Sequence, residues 1–363
     1  MAAGASAPRV RRAQADVRTE IVELAIAGAG MAGLVAAARA RELGAEPIVY
    51  EKGSRAGGSM VLSSGFAWRY RSFELFREQC PGGDPGLQRL VFERFDEALE
   101  WLEGKGIELL TRETGNPLTA GARFDPRQLV DTLGRDVRLG QTTDDPAILA
   151  TGGFPVRLAR DRGLLLRANP WSEGDGLDLA RSRGAATAGD LDEFYGRAMP
   201  AIDELAEGDF VRLGQLYGRF ASITSEDGSD WFPGEPNWSE IDVAQQIARW
   251  PGGRAWLAVD EAVLAARVRD RTVGEMVDAA REAGAPVEEQ DGGVRVLVRA
   301  AVTQTLGGLR VDERACVLDG SGRPIEGLHA AGADVGGISN GGWSSGLATA
   351  LVLGLVAAES AVG

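Results

Sequence analysis

Residues 21–51 read IVELAIAGAGMAGLVAAARARELGAEPIVYE, and their order decides the fold. The first seven residues are mostly β-branched or apolar and predict a buried strand. Gly28-Ala29-Gly30-Met31-Ala32-Gly33 then fits G-x-G-x-x-G, and an Ala-rich helix runs from there to about Leu43, stopped by Gly44. Pro47 to Tyr50 reads as a second strand with Glu51 at its carboxyl end. This is the strand–turn–helix–strand order of a dinucleotide site. Gly28 permits the tight turn, Gly30 lets the backbone approach a pyrophosphate, and Gly33 lets helix and strand pack closely. The free N–H groups of Met31 and Ala32 sit at the positive end of the helix.

Glu51 is placed to accept both ribose hydroxyls of an adenosine and repels a 2′-phosphate, which favours FAD or NAD over NADP. The next residues favour flavin. Lys52 and the Gly57-Gly58-Ser59 turn follow the acid directly, and paired glycines form a second nest of backbone donors for a diphosphate. Only one complete fingerprint occurs, so no dedicated NAD(P)H domain is expected and the electron donor or acceptor is unassigned.

The remainder of the 363 residues is too long for one ordinary core, so two domains are expected. The hydrophobic fraction of 44% fits a soluble globular chain. A net charge of −14 gives no attraction for phosphate backbones, which speaks against nucleic acid and anionic membranes. Two distant cysteines, Cys80 and Cys316, fit a reducing, cytoplasmic setting and exclude a Cys-based zinc or iron–sulfur site. With one histidine, His329, no metal site is expected. Residues 1–20 lack an apolar core and read as a loose tail, not a signal peptide. The apolar run from Leu347 to Ala358 is too short to span a bilayer.

Along the chain, Ser64 and Gly65 are small enough for a flat ring to pass. Helical periodicity covers 87–103, and Asp125-Pro126 starts another helix. Ala147 to Thr151 reads as a strand that ends in Thr151-Gly152-Gly153, where an open α/β sheet holds its ligand. From Phe154 to about Arg299 the strand–helix alternation weakens and Pro and Trp cluster. Helices are predicted over 190–205, 239–249, 259–268 and 272–283, the last with a Thr272/Glu275 capping box. The expected organisation is α/β: a tail over 1–20, a Rossmann-like FAD-binding domain over 21–154 and 301–363, and an inserted α+β capping domain over 155–300.

The end of the chain carries the second half of the cofactor site. Leu328 to Asp334 is a strand ending at Gly332, with Asp334 placed to hold a ribityl hydroxyl. A Gly/Ser-rich segment then leads through Ser345, Gly346 and Leu347 into an uncharged helix. The free N–H groups at the start of that helix would stabilise negative charge at the pyrimidine edge of a reduced flavin.

These stretches together resemble the flavoprotein subunit superfamily of fumarate reductase and succinate dehydrogenase, which includes the 3-ketosteroid dehydrogenases. The matching pieces are AIAGAGMAGLVAAARARELGAEPIVYEKGSRAGGS at 25–59, LATGGF at 149–154, TQTLGGLRVDERACVLDGSGRPIEGLHAAGADVGG at 303–337 and GGWSSGLATALVLG at 341–354. The resemblance implies FAD held between a Rossmann-like and a capping domain, and redox chemistry on a C–C bond beside an activating group. It also implies departures. Where the dicarboxylate reductases place a His, this chain has Thr303, Gln304 and Thr305; where they place a late Arg, it has Trp343; Asp230 stands near the position of a further Arg. Losing these positive groups removes a clamp for a second carboxylate and disfavours fumarate and succinate. The segments after Gly140 and Pro286 are also shorter than in that superfamily.

The resulting expectation is an FAD-dependent oxidoreductase, a dehydrogenase or ene-reductase, acting on a C–C bond next to a carbonyl in a non-dicarboxylate, uncharged or aromatic-friendly, cyclic or aromatic small molecule. Tyr195 and Tyr217 are the candidates for proton transfer, with Arg197 or Arg219 lowering a phenol's pKa or holding the carbonyl oxygen. Trp231, Trp238, Gln304 and Trp343 are the candidates for the substrate pocket, and His329 reads as a core residue. Two other readings stay open: a flavin oxidase or hydroxylase using oxygen, and a non-catalytic FAD-binding interaction protein.

Overall fold

A computed structural model describes residues 23–363; the expected tail over 1–20 lies outside the described residues. The opening stretch forms the strand Glu23–Ala27, the helix Met31–Glu42 and the strand Glu46–Glu51. The two strands pair in parallel at the centre of a six-stranded sheet. Ile148–Leu149 lies on the other side of the first strand, followed by Pro324–Ala330 and Cys316–Leu318, while Val137–Leu139 closes the opposite edge. All neighbours are parallel except the outermost pair, Cys316–Leu318 with Pro324–Ala330. Early and late parts of the chain therefore meet at the carboxyl ends of adjacent strands.

The last helix, Gly346–Val362, is apolar on every side because helices cover it. It packs on Met31–Glu42 so closely that a Cβ at Gly354 would stand 2.7 Å from the carbonyl oxygen of Ala32. The helix Pro85–Gly104, started by Asp84, packs on it as well. Near its end, Glu359 pairs with Arg39 (3.0 Å) and Arg94 (3.2 Å), one from each neighbouring helix. His329 is 7% exposed, with its Nδ1 3.3 Å from the Ala147 carbonyl, among the sheet residues.

A second sheet is antiparallel in the order Phe194–Pro200, Gly293–Thr305, Arg254–Asp260, Ser222–Ser225. Here two helix assignments made from sequence fail. Residues 190–205 contain the strand Phe194–Pro200, and 259–268 hold the end of one strand, a single 3₁₀ turn and a short strand. Both segments are rich in apolar residues with no clear period, and sheet pairing with the long strand Gly293–Thr305 overrides local preference. The helices Ile241–Arg249 and Val273–Glu282 do form, the latter with its Thr272/Glu275 capping box. The strand Gly293–Thr305 also runs straight through the expected domain boundary at 300, so the second sheet is continuous with the late cofactor segment. Among the described residues no helix is long and apolar enough to cross a membrane.

Candidate active site

A cavity of about 1390 Å³ lies between the two sheets. Its first end is built from the opening turn. Gly28 has φ +101°, and a Cβ there would meet the Ala150 carbonyl oxygen at 2.1 Å. A Cβ at Gly33 would meet the Gly28 carbonyl oxygen at 1.9 Å, so the helix is pressed onto the turn. Gly30, by contrast, has open space where its Cβ would be, and it lines the cavity together with Gly28, Met31 and Ala32. Gly30 caps the helix without a side-chain acceptor, which leaves the first N–H groups unclaimed by a side chain. Glu51 is 5% exposed and accepts from Ala29 N at 2.9 Å and Gly53 N at 2.7 Å. Lys52 lines the same end but is paired with Glu173 and, at 2.9 Å, with Asp175.

Further along, Gly58, Ser59 and Ser64 line one wall, and Thr151, Gly152 and Gly332 the other. Asn169, which the sequence did not single out as a cofactor ligand, sits between them. Its N–H donates to Ser59 Oγ at 3.0 Å, it is 6% exposed, and its Oδ1 has no partner among the described residues. Ser345, Gly346 and Leu347 complete this part. Ser345 Oγ accepts from Ala348 N at 3.2 Å, capping the last helix.

Four residues expected to touch the cofactor stand behind this wall. Gly33 is the packing contact just described. Gly57 donates its N–H to the Ala29 carbonyl at 2.8 Å and has φ +106°. Gly65 turns the chain against the Phe124 carbonyl, 2.1 Å from where its Cβ would be. Asp334 is 2% exposed and accepts from Thr151 N, from Thr151 Oγ1 at 2.8 Å and from Gly153 N at 3.1 Å. It therefore braces the Thr151–Gly153 loop instead of reaching a ribityl chain. Burial raises its pKa, and those hydrogen bonds oppose the rise.

The second end is made by the antiparallel sheet. The ladder slips between Tyr195 and Gly196, which face Gln304 and Val302, leaving Thr303 as the extra residue of a bulge. Tyr195, Thr303 and Gln304 all line the cavity. Tyr195 stacks on Trp343 with ring centres 3.7 Å apart and planes within 11°. The guanidinium of Arg197 lies 5.0 Å from the centre of the Tyr195 ring. Burial by itself raises the Tyr195 pKa, but Arg197, Arg167 and Arg269 together hold it below the ordinary phenol value. Burial, with repulsion from Arg197 and Arg269, pushes Arg167 down to about 10. Arg269 is also lowered, by desolvation and by Arg197.

Glu240, 8% exposed, lines this end too. One carboxylate oxygen accepts from Gly218 N at 2.9 Å, and burial raises its pKa to about 7 against the pull of Arg197. The backbone at Glu240 has φ +53°, a left-handed conformation for a non-glycine residue just before the helix Ile241–Arg249.

Of the other residues proposed from sequence, Arg197, Arg219, Trp238, Gln304 and Trp343 line the cavity. Trp238 donates from its indole N–H to Gln79 at 3.1 Å and packs edge-on against Trp68. Tyr217 does not line it. Its side chain is fully buried in the core, its hydroxyl has no partner among the described residues, and burial with the nearby Glu240 raises its pKa. A phenol so placed neither reaches a substrate nor ionises, so Tyr217 is withdrawn as a proton-transfer candidate. Trp231 is 67% exposed, bridged to Thr224 of the edge strand and not among the residues lining the cavity, so it is withdrawn from the pocket. Sequence reading missed Arg167, Glu240 and Arg269. Arg167 follows a two-residue strand, Glu240 precedes a helix and Arg269 sits in a tight hairpin, so only tertiary structure brings them together.

Residues 23–135 and 134–346 match the family described as FAD binding domain. The chain belongs to this family and is an FAD-dependent oxidoreductase. It is 23% identical to the probable fumarate reductase Ifc3 of Shewanella frigidimarina (strain NCIMB 400), over 97% of this chain and 77% of that one. The open conformation of a flavocytochrome c3 fumarate reductase superposes with a TM-score of 0.68 at 21% identity, covering 95% of this chain and 78% of that one. The 3-ketosteroid-delta4-(5alpha)-dehydrogenase from Rhodococcus jostii RHA1 gives 0.67 at 20% identity, covering 98% of this chain and 100% of that one. Those two structures share the fold.

The residues present fit FAD. Gly30 leaves a cradle that a Cβ would fill, and the first helix has no side-chain cap to compete for its N–H groups. Asn169 Oδ1 is a buried acceptor on the cavity wall without a partner among the described residues. An extended molecule rich in phosphate and hydroxyl oxygens satisfies all three.

Proposed function

We propose that this protein oxidises or reduces a carbon–carbon bond next to a carbonyl, with Tyr195 moving the proton. The adenosine ribose is assigned to Glu51, the diphosphate to the N–H groups following Gly30 and to Gly58 and Ser59, and the pyrimidine edge of the ring to the N–H groups of Gly346 and Leu347. When bound, FAD supplies hydride exchange with the substrate carbon. The protein's own residues supply the rest. Tyr195 takes or gives the proton on the carbon beside the carbonyl, and its phenolate is stabilised by Arg197, Arg167 and Arg269. An N–H fork of Arg197 holds the carbonyl oxygen as negative charge develops there. Trp343 covers one face of the phenol and keeps water from it.

The observation that carries this reading is the Tyr195 ring, stacked on Trp343 with the Arg197 guanidinium 5.0 Å from its centre, in a cavity that Arg167 and Arg269 also line. Its test is an anaerobic screen of the FAD-loaded protein against cyclic enones and saturated ketones, followed by bleaching or recovery of the flavin absorbance. Tyr195→Phe should abolish that turnover with the spectrum of the bound flavin unchanged. Full turnover by that variant would remove Tyr195 from the chemistry.

A further inference from the structure

We propose that the substrate carries one carboxylate on a flat ring, and that Arg167 and Arg269 bind it while Arg197 keeps the carbonyl oxygen. This rests on the reading above and names the substrate class of that site. It narrows the expectation of a non-dicarboxylate cyclic or aromatic substrate, which was drawn from the positive groups missing near Gln304, Trp343 and Asp230. The charge in this cavity comes from elsewhere in the sequence.

Some arginines of this protein are paired, as Arg157 is with Asp178, Arg254 with Glu226 and Arg281 with Asp278. Arg167, Arg197 and Arg269 form no such pair among the described residues, although all three line one cavity. Arg167 donates from Nε to the Phe210 carbonyl at 2.7 Å and from Nη1 to Thr303 Oγ1 at 3.0 Å, which fixes its plane and leaves Nη2 uncommitted. Arg197 gives one Nη1 bond to the Ser239 carbonyl. Arg269 makes no side-chain hydrogen bond among the described residues, and its backbone is left-handed at φ +58°. Burial first, and then repulsion from Arg197, lowers the pKa of both Arg167 and Arg269.

Free donors then set the ligand. Arg167 Nη2 and the Arg269 guanidinium have no partner among the described residues, and Glu240, Asp270 and Tyr195 line the same cavity. Arg271 turns its Nη atoms to the carbonyls of Arg212 and Gly214, and Arg219 lies over the Phe220 ring. A carboxylate matches the planar fork of a guanidinium. A second carboxylate has no such partner, since Gln304 and Trp343 are uncharged. Trp68, Trp238 and Trp343 line the cavity beside the arginines and offer flat apolar faces to a ring.

The test is binding to the FAD-loaded protein, read from perturbation of the flavin spectrum and from the melting temperature. The probes are benzoate, benzamide and succinate. Benzoate should bind about tenfold or more tighter than benzamide and than succinate, and Arg167→Gln should erase about tenfold of that preference. Arg269→Gln serves as the second variant should Arg167→Gln lose its flavin. Benzoate binding no tighter than benzamide, or not at all, overturns the proposal; succinate matching benzoate overturns its single-carboxylate form. The two readings separate cleanly. Turnover of neutral ketones without any benzoate effect keeps the proposed chemistry and removes the carboxylate. Tight benzoate binding in a protein inert toward every carbonyl-activated C–C bond does the reverse.

Discussion

The two ends of the cavity are built on different principles. The adenosine end is backbone: glycines, helix N–H groups and a single acid, contributed largely by one continuous stretch of the chain. The substrate end is side chain: a phenol, guanidiniums, a carboxyl and indoles from six separate segments. A backbone site depends on conformation and tolerates little bulk. A side-chain site depends on charge and aim, and its members can be exchanged without disturbing the fold. That difference teaches which substitutions should stop chemistry and which should cost the cofactor.

The sharpest division comes from Tyr195→Phe. Turnover should fall by about 10²–10⁴-fold, the usual contribution of a positioned proton-transfer group, while FAD absorbance is retained. Arg197→Gln should move upward the limb of the pH profile set by the phenol, the acidic limb for oxidation and the basic limb for reduction, because Arg197 is the largest influence lowering the phenol's pKa. Loss of flavin in Tyr195→Phe would mean that the two ends are one cooperative unit.

A second effect concerns Glu240. Its pKa rises from 4.5 to about 7 on folding, so between those values the folded state holds a proton that the unfolded state has released. Stability present below pH 4.5 is therefore lost as pH rises through this window, by about 3 kcal/mol. Melting temperatures of Glu240→Gln and the parent across that range should diverge accordingly. Parallel curves would place the carboxyl's titration elsewhere.

At the other end, Gly33→Ala forces a methyl to within 1.9 Å of the Gly28 carbonyl oxygen. Overpacking of this kind costs about 1–3 kcal/mol and should shift the turn that holds the diphosphate. The checks are the melting temperature and the ratio of flavin to protein absorbance after desalting. The smallest effect is expected from Tyr217→Phe, which removes a buried hydroxyl that has no partner among the described residues. Stability should change by less than about 1 kcal/mol, and turnover should not change. A large loss of turnover there would return Tyr217 to the chemistry.

The same contrast explains what was legible in the sequence. Gly28, Gly30 and Glu51 were readable because a strand, a turn and a helix in fixed order impose residue types at fixed places. The late Gly332 and Ser345–Leu347 segments were readable for the same reason. Asp334 was located correctly in the chain but misassigned, since an acid after a strand looks the same whether it faces a ligand or a neighbouring loop. Tyr195 and Tyr217 were indistinguishable as letters; one faces the cavity and the other is fully buried in the core. Arg167, Glu240 and Arg269 carried no local signal, because their proximity depends on the pairing of strands far apart in the chain. The lost cationic positions at 304 and 343 were visible in the sequence, and the arginines that line the cavity were not.

The extra residue at Thr303 has a consequence for aim. With the bulge, Gln304 stands opposite Tyr195 and Val302 opposite Gly196, so Thr303 is looped out of the ladder and lines the cavity. Its Oγ1 accepts from Arg167 Nη1 at 3.0 Å. Deleting Thr303 would leave the strand partners as they are and restore a regular ladder, but it would take away the hydroxyl that holds this guanidinium. The orientation of one charge thus hangs on a residue that a single-codon deletion removes.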